Sequence, residues 1–333
     1  MRSERLVTTI DFHTAGIGMR LVTAGLPRLP GATIAEKRTY FETHFDHLRT
    51  GLCLEPRGHR GMLMGLLVDP VTPGAAFGVI FIYPGGYYVS CGEGTIGSAT
   101  IAVATGIVAR THADTRLIID TEAGPVETTV HADEDRVRAV TVRFSPSYVL
   151  MPAETVKVPD VGEVPLDIAV GAGNVFAIVE AQHLGLAVKR EQAGEIVRRG
   201  MATRMAVNEQ LRVELPGAGA TPVANVIVHE APDARGLSRN ALVWGPGQID
   251  AAPCGSGTCA RLALWYGSGR LAVGGTIISE GLSGLSFTGR IAGETEVAGR
   301  RAIEPEITGS AWITGTSQFF FDPDDPLRDG LLI

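Results

Sequence analysis

The chain has 333 residues, 45% hydrophobic and 20% charged, which is ordinary for a globular protein and long enough for two hydrophobic cores. A formal net charge of -7 presents no basic footprint for nucleic acid or an anionic membrane. No apolar run reaches membrane-spanning length, and four cysteines (Cys53, Cys91, Cys254, Cys259) are too few for a disulfide framework at this size, so a reducing, cytoplasmic setting is expected.

The start, from Met1 to Val7, runs into a strand without the apolar core or cleavage site of a signal peptide. Val7 to Thr23 reads as strand, Ala15-Gly16 turn, strand. A helix is expected over 32–52, with Thr33 placed to cap it, Glu36 at capping-box spacing, and Phe41, Phe45 and Leu48 at helical intervals. The polar turn Glu55-Pro56-Arg57-Gly58-His59 follows, then strands at 62–68 and 78–83, a helix from Gly94 to about Val108, and strands at 117–121, 126–132 and 137–144.

The same order recurs about 160 residues later. Leu166 to Val179 repeats the acidic residue, glycine turn and apolar strand of Ile10 to Val22. A helix at 190–209, strands at 223–229 and 241–244, and a helix from Cys254 to Tyr266 complete the echo. Pro152, Pro159 and Pro165 suggest a break between Tyr148 and Pro165. The expected division is therefore 1–150, 151–306, and a closing strand and tail over 307–333 that packs back on the first domain. The fold class is α/β (α+β), each domain being a mixed sheet around one central helix, with the cleft between them as the site.

In each half a cysteine stands immediately ahead of the central helix, in Ser90-Cys91-Gly92-Glu93-Gly94-Thr95 and Pro253-Cys254-Gly255-Ser256-Gly257-Thr258. A helix N-terminus offers unpaired N–H groups and a positive dipole end, which stabilise a thiolate and bind a carboxylate. Either cysteine alone reads equally well as a buried structural thiol. Matched contexts favour two thiols acting across a substrate, one taking a proton and the other giving one. Cys254 and Cys259 lack ligand-pair spacing and no His or Cys cluster completes a site, so no metal is expected.

These motifs, with Asp11-Phe12-His13-Thr14-Ala15-Gly16, Asp250-Ala251-Ala252-Pro253-Cys254 and the closing Gly309-Ser310-Ala311-Trp312, resemble the proline racemase family over essentially the whole chain. The resemblance implies a diaminopimelate-epimerase-like fold and cofactor-independent inversion at the α-carbon of a proline-type imino acid, with trans-4-hydroxy-L-proline to cis-4-hydroxy-D-proline as the leading reaction. It implies Cys91 and Cys254 as the acid–base pair. The N–H groups of Gly92, Glu93, Gly255 and Ser256 would face the substrate carboxylate, Asp250 its ring nitrogen and Trp244 its ring. Read from sequence alone, Asp250 is also an Asx-turn residue and Trp244 a core residue. The family's trans-3-hydroxyproline dehydratases carry threonine where this chain has Cys91, which favours inversion over elimination. Glu93 departs from the family's usual histidine and puts a negative charge beside Cys91. That departure keeps proline, or another cyclic imino or amino acid, in view as substrate, and an idle imino-acid-binding protein is the alternative outside enzymes. A homodimer is compatible with this reading. His13 and His59 are read as loop-ordering residues, and Cys53 and Cys259 as core thiols.

Overall fold

The computed structural model describes residues 5–111 and 113–332; Met1 to Glu4, where the chain start was read, lies outside the described residues. In chain order the elements of the first half are β1 (Arg5–Thr14), β2 (Ile17–Ala24), α1 (Ile34–Cys53), β3 (Leu63–Val68), β4 (Phe77–Tyr83), β5 (Gly86–Tyr88), α2 (Gly92–Ala104), β6 (Asp114–Thr121), β7 (Gly124–Ala132) and β8 (Val137–Arg143). The second half continues with β9 (Tyr148–Val158), β10 (Gly162–Gly171), β11 (Asn174–Glu180), α3 (Ala193–Gln210), the short β12 (Glu214–Leu215) and β13 (Gly219–Ala220), then β14 (Asn225–His229), β15 (Leu237–Trp244), β16 (Gln248–Ile249), α4 (Gly255–Gly267), β17 (Thr276–Glu280), β18 (Ser286–Val297) and β19 (Arg300–Gly309). The chain ends on β20 (Ala311–Phe321).

Two compact units emerge. One takes the chain to Val142 together with everything from Gly309 onward; the other is Arg143–Thr308. The first is closed by β20, which runs antiparallel to β1 from Ala311 opposite Thr14 to Phe321 opposite Arg5.

Each unit repeats one strand grammar. β1 and β2 form a hairpin whose two loop residues, Ala15 (φ 48) and Gly16 (φ 102), are both left-handed; β10 and β11 form its counterpart through Ala172 (φ 49) and Gly173 (φ 84). Two successive positive-φ residues make the turn whose twist matches antiparallel strands. A helix then crosses over to a parallel strand: α1 joins β2 to β3, and α3 joins β11 to β14. An antiparallel neighbour follows (β4; β15), and a second crossover, through α2 or α4, reaches the parallel β6 or β17.

The two helix types follow their sequence patterns. α1 and α3 are one-sided; α3 buries Ile196, Gly200, Thr203 and Val207 at helical spacing and covers β9, β14 and β15. Thr33 caps α1, accepting from the Glu36 N–H at 3.1 Å. α2 has no polar face, and every residue from Gly92 to Val103 is buried among β1, β2, β3, β7 and β20. It ends at Ala104, four residues short of the expected Val108, with Gly106 in the left-handed conformation just beyond. α4 is packed likewise against β9, β10, β11 and β18. Glycines admit both helices: a Cβ on Gly97 would stand 1.8 Å from the Phe12 ring, and one on Gly171 would stand 2.1 Å from the Ser256 carbonyl oxygen.

The stretch 148–165, expected to interrupt the pattern, is the β9–β10 hairpin. Pro152 and Pro165 are exposed; Pro152 adjoins the bulge at Ala153 (φ 55), and Pro165 stands opposite Thr155, ahead of the residues of β10 that pair with β11. Among the described residues no helix is long and apolar enough to cross a membrane.

Candidate active site

In the first unit Cys91 is the N-cap of α2, with extended backbone (φ -145, ψ 113). Its sulfur accepts the Gly94 N–H at 3.3 Å, and its carbonyl accepts the Thr95 N–H at 2.9 Å. The first N–H groups of a helix have no carbonyl within it, so the sulfur replaces the oxygen of an ordinary cap and takes one of them. Glu93, in the first turn, is only 6% exposed. The Cys91 thiol donates to its Oε2 across 4.0 Å, and Thr14 holds the Glu93 carbonyl at 2.9 Å.

The second unit repeats the cap. Cys254 stands ahead of α4, its sulfur accepts the Gly257 N–H at 3.3 Å, and its carbonyl accepts the Thr258 N–H at 2.8 Å. Two details differ. Cys254 has φ 59 and ψ 104, a conformation that costs a β-carbon residue on the order of 1–3 kcal/mol and persists only when its surroundings enforce it. The surroundings are tight, since a Cβ on Gly281 would fall 2.5 Å from the Ala251 carbonyl oxygen. In place of a carboxylate two residues on, there is a hydroxyl: Ser256 Oγ lies 3.9 Å from the sulfur.

Asp250 is buried, and its Oδ1 accepts the Ala252 N–H at 2.7 Å, so the Asx-turn role is present. One of its carboxylate oxygens lies within 4.8 Å of the Cys254 sulfur. Trp244 is buried at the end of β15, where the chain turns into β16. Thus Cys91, Gly92 and Glu93 share one helix start; Cys254, Gly255 and Ser256 share the other, beside Asp250.

The remaining candidates occupy structural positions. His13 accepts the Gly16 N–H at 3.3 Å and stacks on Trp312; His59 accepts the Gly61 N–H at 3.1 Å. Cys53 is fully buried, and desolvation, opposed by Arg20 and Arg49, pushes its thiol up to about 12. Cys259 is buried inside α4.

One residue escaped the sequence reading. Arg261, on α4, is fully buried, and desolvation pulls its guanidinium down to about 10, with the Cys254 charge acting in opposition. The signal was a lone cation inside the apolar run Ala260-Arg261-Leu262-Ala263-Leu264-Trp265.

Residues 9–332 match the family model described as "Proline racemase". The chain is 40% identical over 335 aligned residues to the 4-hydroxyproline 2-epimerase of Streptosporangium roseum and 36% identical over 335 to the proline racemase of Clostridioides difficile, with both chains covered in full each time. Among solved structures, a hydroxyproline epimerase from Agrobacterium vitis with bound trans-4-hydroxy-L-proline superposes with a TM-score of 0.92 at 30% identity, covering 100% of this chain and 96% of that one. The relatives named here are isomerases, and the repeated two-unit architecture is the diaminopimelate-epimerase-like fold. Duplicated strand order, paired cysteine caps and full-length similarity converge: the chain belongs to the proline racemase family.

Proposed function

We propose that the protein inverts the α-carbon of a proline-type imino acid without a cofactor, converting trans-4-hydroxy-L-proline to cis-4-hydroxy-D-proline by a two-thiol mechanism. The observation that carries this reading is the pair of sulfur caps, each accepting the N–H three residues on at 3.3 Å. Inversion needs a base on one face of the α-carbon and an acid on the other, and the roles must be exchangeable for the reverse reaction. Two cysteines in equivalent settings meet that demand. In this reading Cys91 and Cys254 are the acid–base pair, the thiolate of one removing the α-proton while the thiol of the other delivers one. The N–H groups of Gly92, Glu93, Gly255 and Ser256 hold the carboxylate and stabilise charge developing there. Asp250 pairs with the ring ammonium and Trp244 lies against the ring. The enzyme works in the cytoplasm on a free imino acid, with neither nucleic acid nor membrane as partner, and a homodimer is compatible with this.

A second reading concerns the substrate alone. The Glu93 carboxylate, buried beside Cys91, would meet a ring substituent differently from a neutral or cationic side chain, which favours proline or another cyclic imino acid. Proton NMR in deuterium oxide separates these, with L-proline, trans-4-hydroxy-L-proline and trans-3-hydroxy-L-proline in separate tubes. Loss of the α-proton signal with growth of the cis-4-hydroxy-D spectrum is expected. Exchange and inversion of proline alone would select the racemase reading, and an elimination product from the 3-hydroxy compound the dehydratase. Silence in all three tubes, from protein whose cysteines are reduced, would overturn the proposal.

A further inference from the structure

The duplicated fold allows the two helix starts to be compared position by position. The last strand residue before the hairpin loop is Thr14 in β1, which pairs with Ile17 around Ala15-Gly16, and Gly171 in β10, which pairs with Asn174 around Ala172-Gly173. The residue two beyond the cysteine cap is Glu93 in α2 and Ser256 in α4. In both units these two positions meet. Gly171 approaches so closely that a Cβ would stand 2.1 Å from the Ser256 carbonyl oxygen, whereas the fully buried Thr14 meets the Glu93 carbonyl with its hydroxyl, donating at 2.9 Å. One helix start rests against bare backbone, the other against a side chain that makes a hydrogen bond.

The peptide on which that bond lands gives it its consequence. The Glu93 carbonyl and the Gly94 N–H belong to one planar group, and that N–H is the one the Cys91 sulfur accepts, at 3.3 Å. The Thr14 hydroxyl, the 93–94 peptide and the Cys91 sulfur therefore form one chain of hydrogen bonds. Donation to the carbonyl polarises the peptide and makes its N–H a stronger donor, and bonds linked in this way reinforce one another where water is excluded. The plane is fixed as well, because turning it would break both bonds. A stronger and better aimed N–H favours the anionic form of the sulfur that accepts it. In the second unit the Gly257 N–H reaches the Cys254 sulfur at the same 3.3 Å, but Gly171 brings no hydroxyl to the carbonyl behind it.

β1 leaves the hydroxyl little freedom. It is paired on both sides at Thr14, with Ile17 of β2 and Ala311 of β20, and two residues earlier the Phe12 ring presses on Gly97 in the next turn of α2. Within this unit the Glu93 carboxylate is the charged group at the Cys91 sulfur, 4.0 Å away. On the strands packed against α2, Asp11 pairs with Arg20, Arg5 donates to the Gly25 carbonyl, His13 stacks on Trp312, His131 is hydrogen-bonded to Asp114, and Glu127 is exposed. Replacing Thr14 leaves every one of these groups in place.

We infer that Thr14 is a positioning residue for Cys91: through the 93–94 peptide its hydroxyl aims and strengthens the N–H that holds the sulfur as a thiolate. The inference rests on the reading of Cys91 as one of the acid–base pair, but its test needs no turnover, so the two can fail separately.

Alkylation of Cys91 by iodoacetamide is followed across a pH series by peptide-resolved mass spectrometry, in a Cys254→Ser chain so that only one of the two capping thiols titrates. Thr14→Val keeps the shape of the side chain and removes the hydroxyl; the Cys91 midpoint is expected to rise by about half a pH unit, roughly a threefold loss of thiolate below it. Thr14→Ser, which keeps the hydroxyl, should leave the midpoint at the parent value. Read in a Cys91→Ser chain, the Cys254 midpoint should not respond to Thr14→Val. An unmoved Cys91 midpoint in Thr14→Val with the fold intact by circular dichroism, equal shifts in the Val and Ser variants, or an equal shift at Cys254 would overturn the inference and leave Thr14 a packing residue. Should Thr14→Val not fold, Thr14→Ala against Thr14→Ser makes the same comparison, with the same outcomes deciding.

Discussion

Gly171→Ala tests the link between the β10–β11 hairpin and the helix start behind Cys254. Gly171 needs no unusual backbone; what it supplies is room. A Cβ there would stand 2.1 Å from Ser256 O, 2.7 Å from Ala260 N and 2.9 Å from Ala260 Cβ. The oxygen and nitrogen are the acceptor and donor positions of one turn of α4, so the methyl would wedge into that turn, and no side-chain rotation relieves a backbone contact. Overpacking costs about 1–3 kcal/mol and a weakened hydrogen bond about 1 kcal/mol more, which together predict a loss of roughly 2–4 kcal/mol. Urea unfolding followed by tryptophan fluorescence reads it in the right place, because Trp244 and Trp265 belong to this unit and only Trp312 to the other. Gly194→Ala is the control. That glycine is helical, nothing lies within 4 Å of its Cβ, and replacement should be neutral or stabilising by up to about 1 kcal/mol. If Gly171→Ala lost no more stability than Gly194→Ala, the close approach of β10 to α4 would not hold, and the argument that glycine admits the helix start would fall with it.

Two further outcomes follow from the titratable groups. Glu93→Gln removes the carboxylate that the Cys91 thiol donates to, so Cys91 should react with iodoacetamide at lower pH than in the parent; peptide-resolved mass spectrometry across a pH series measures this, and an unchanged or raised midpoint would refute the contact. His229 is held neutral by burial, with its imidazole down to about 3 against an ordinary 6.5, so the unfolded chain binds a proton that the folded one refuses. Its contribution is intact above about pH 6.5 and is lost as pH falls toward 3, and the urea midpoint of the second unit should drop through that window. His229→Gln should flatten this dependence; an equally steep fall in the variant would assign it to other groups.

Much of the fold was legible because period and punctuation are local properties. The alternation of Ile10 to Val22, the Thr33 cap, the one-sided Ile196, Gly200, Thr203 and Val207, and the repeat some 160 residues apart all follow from side-chain spacing and turn chemistry. The cysteine caps were legible for the same reason, since a small-residue turn ahead of an apolar segment marks a helix start. The prolines at 152 and 165 misled because a bulge or an exposed strand edge tolerates proline as well as a linker does, and only pairing between strands distinguishes them.

What the sequence by itself determined was the pair of helix-capping thiols, the duplicated order of elements and the family to which both belong. Tertiary structure alone decided how each cap is furnished. The carboxylate of Glu93 sits against the Cys91 sulfur, the Cys254 backbone is forced to φ 59, and the Arg261 guanidinium is buried behind it among hydroxyls from β15 and β17, the strands on either side of α4. Electrostatic environment depends on distance and on exclusion of water, and neither is carried by spacing along the chain.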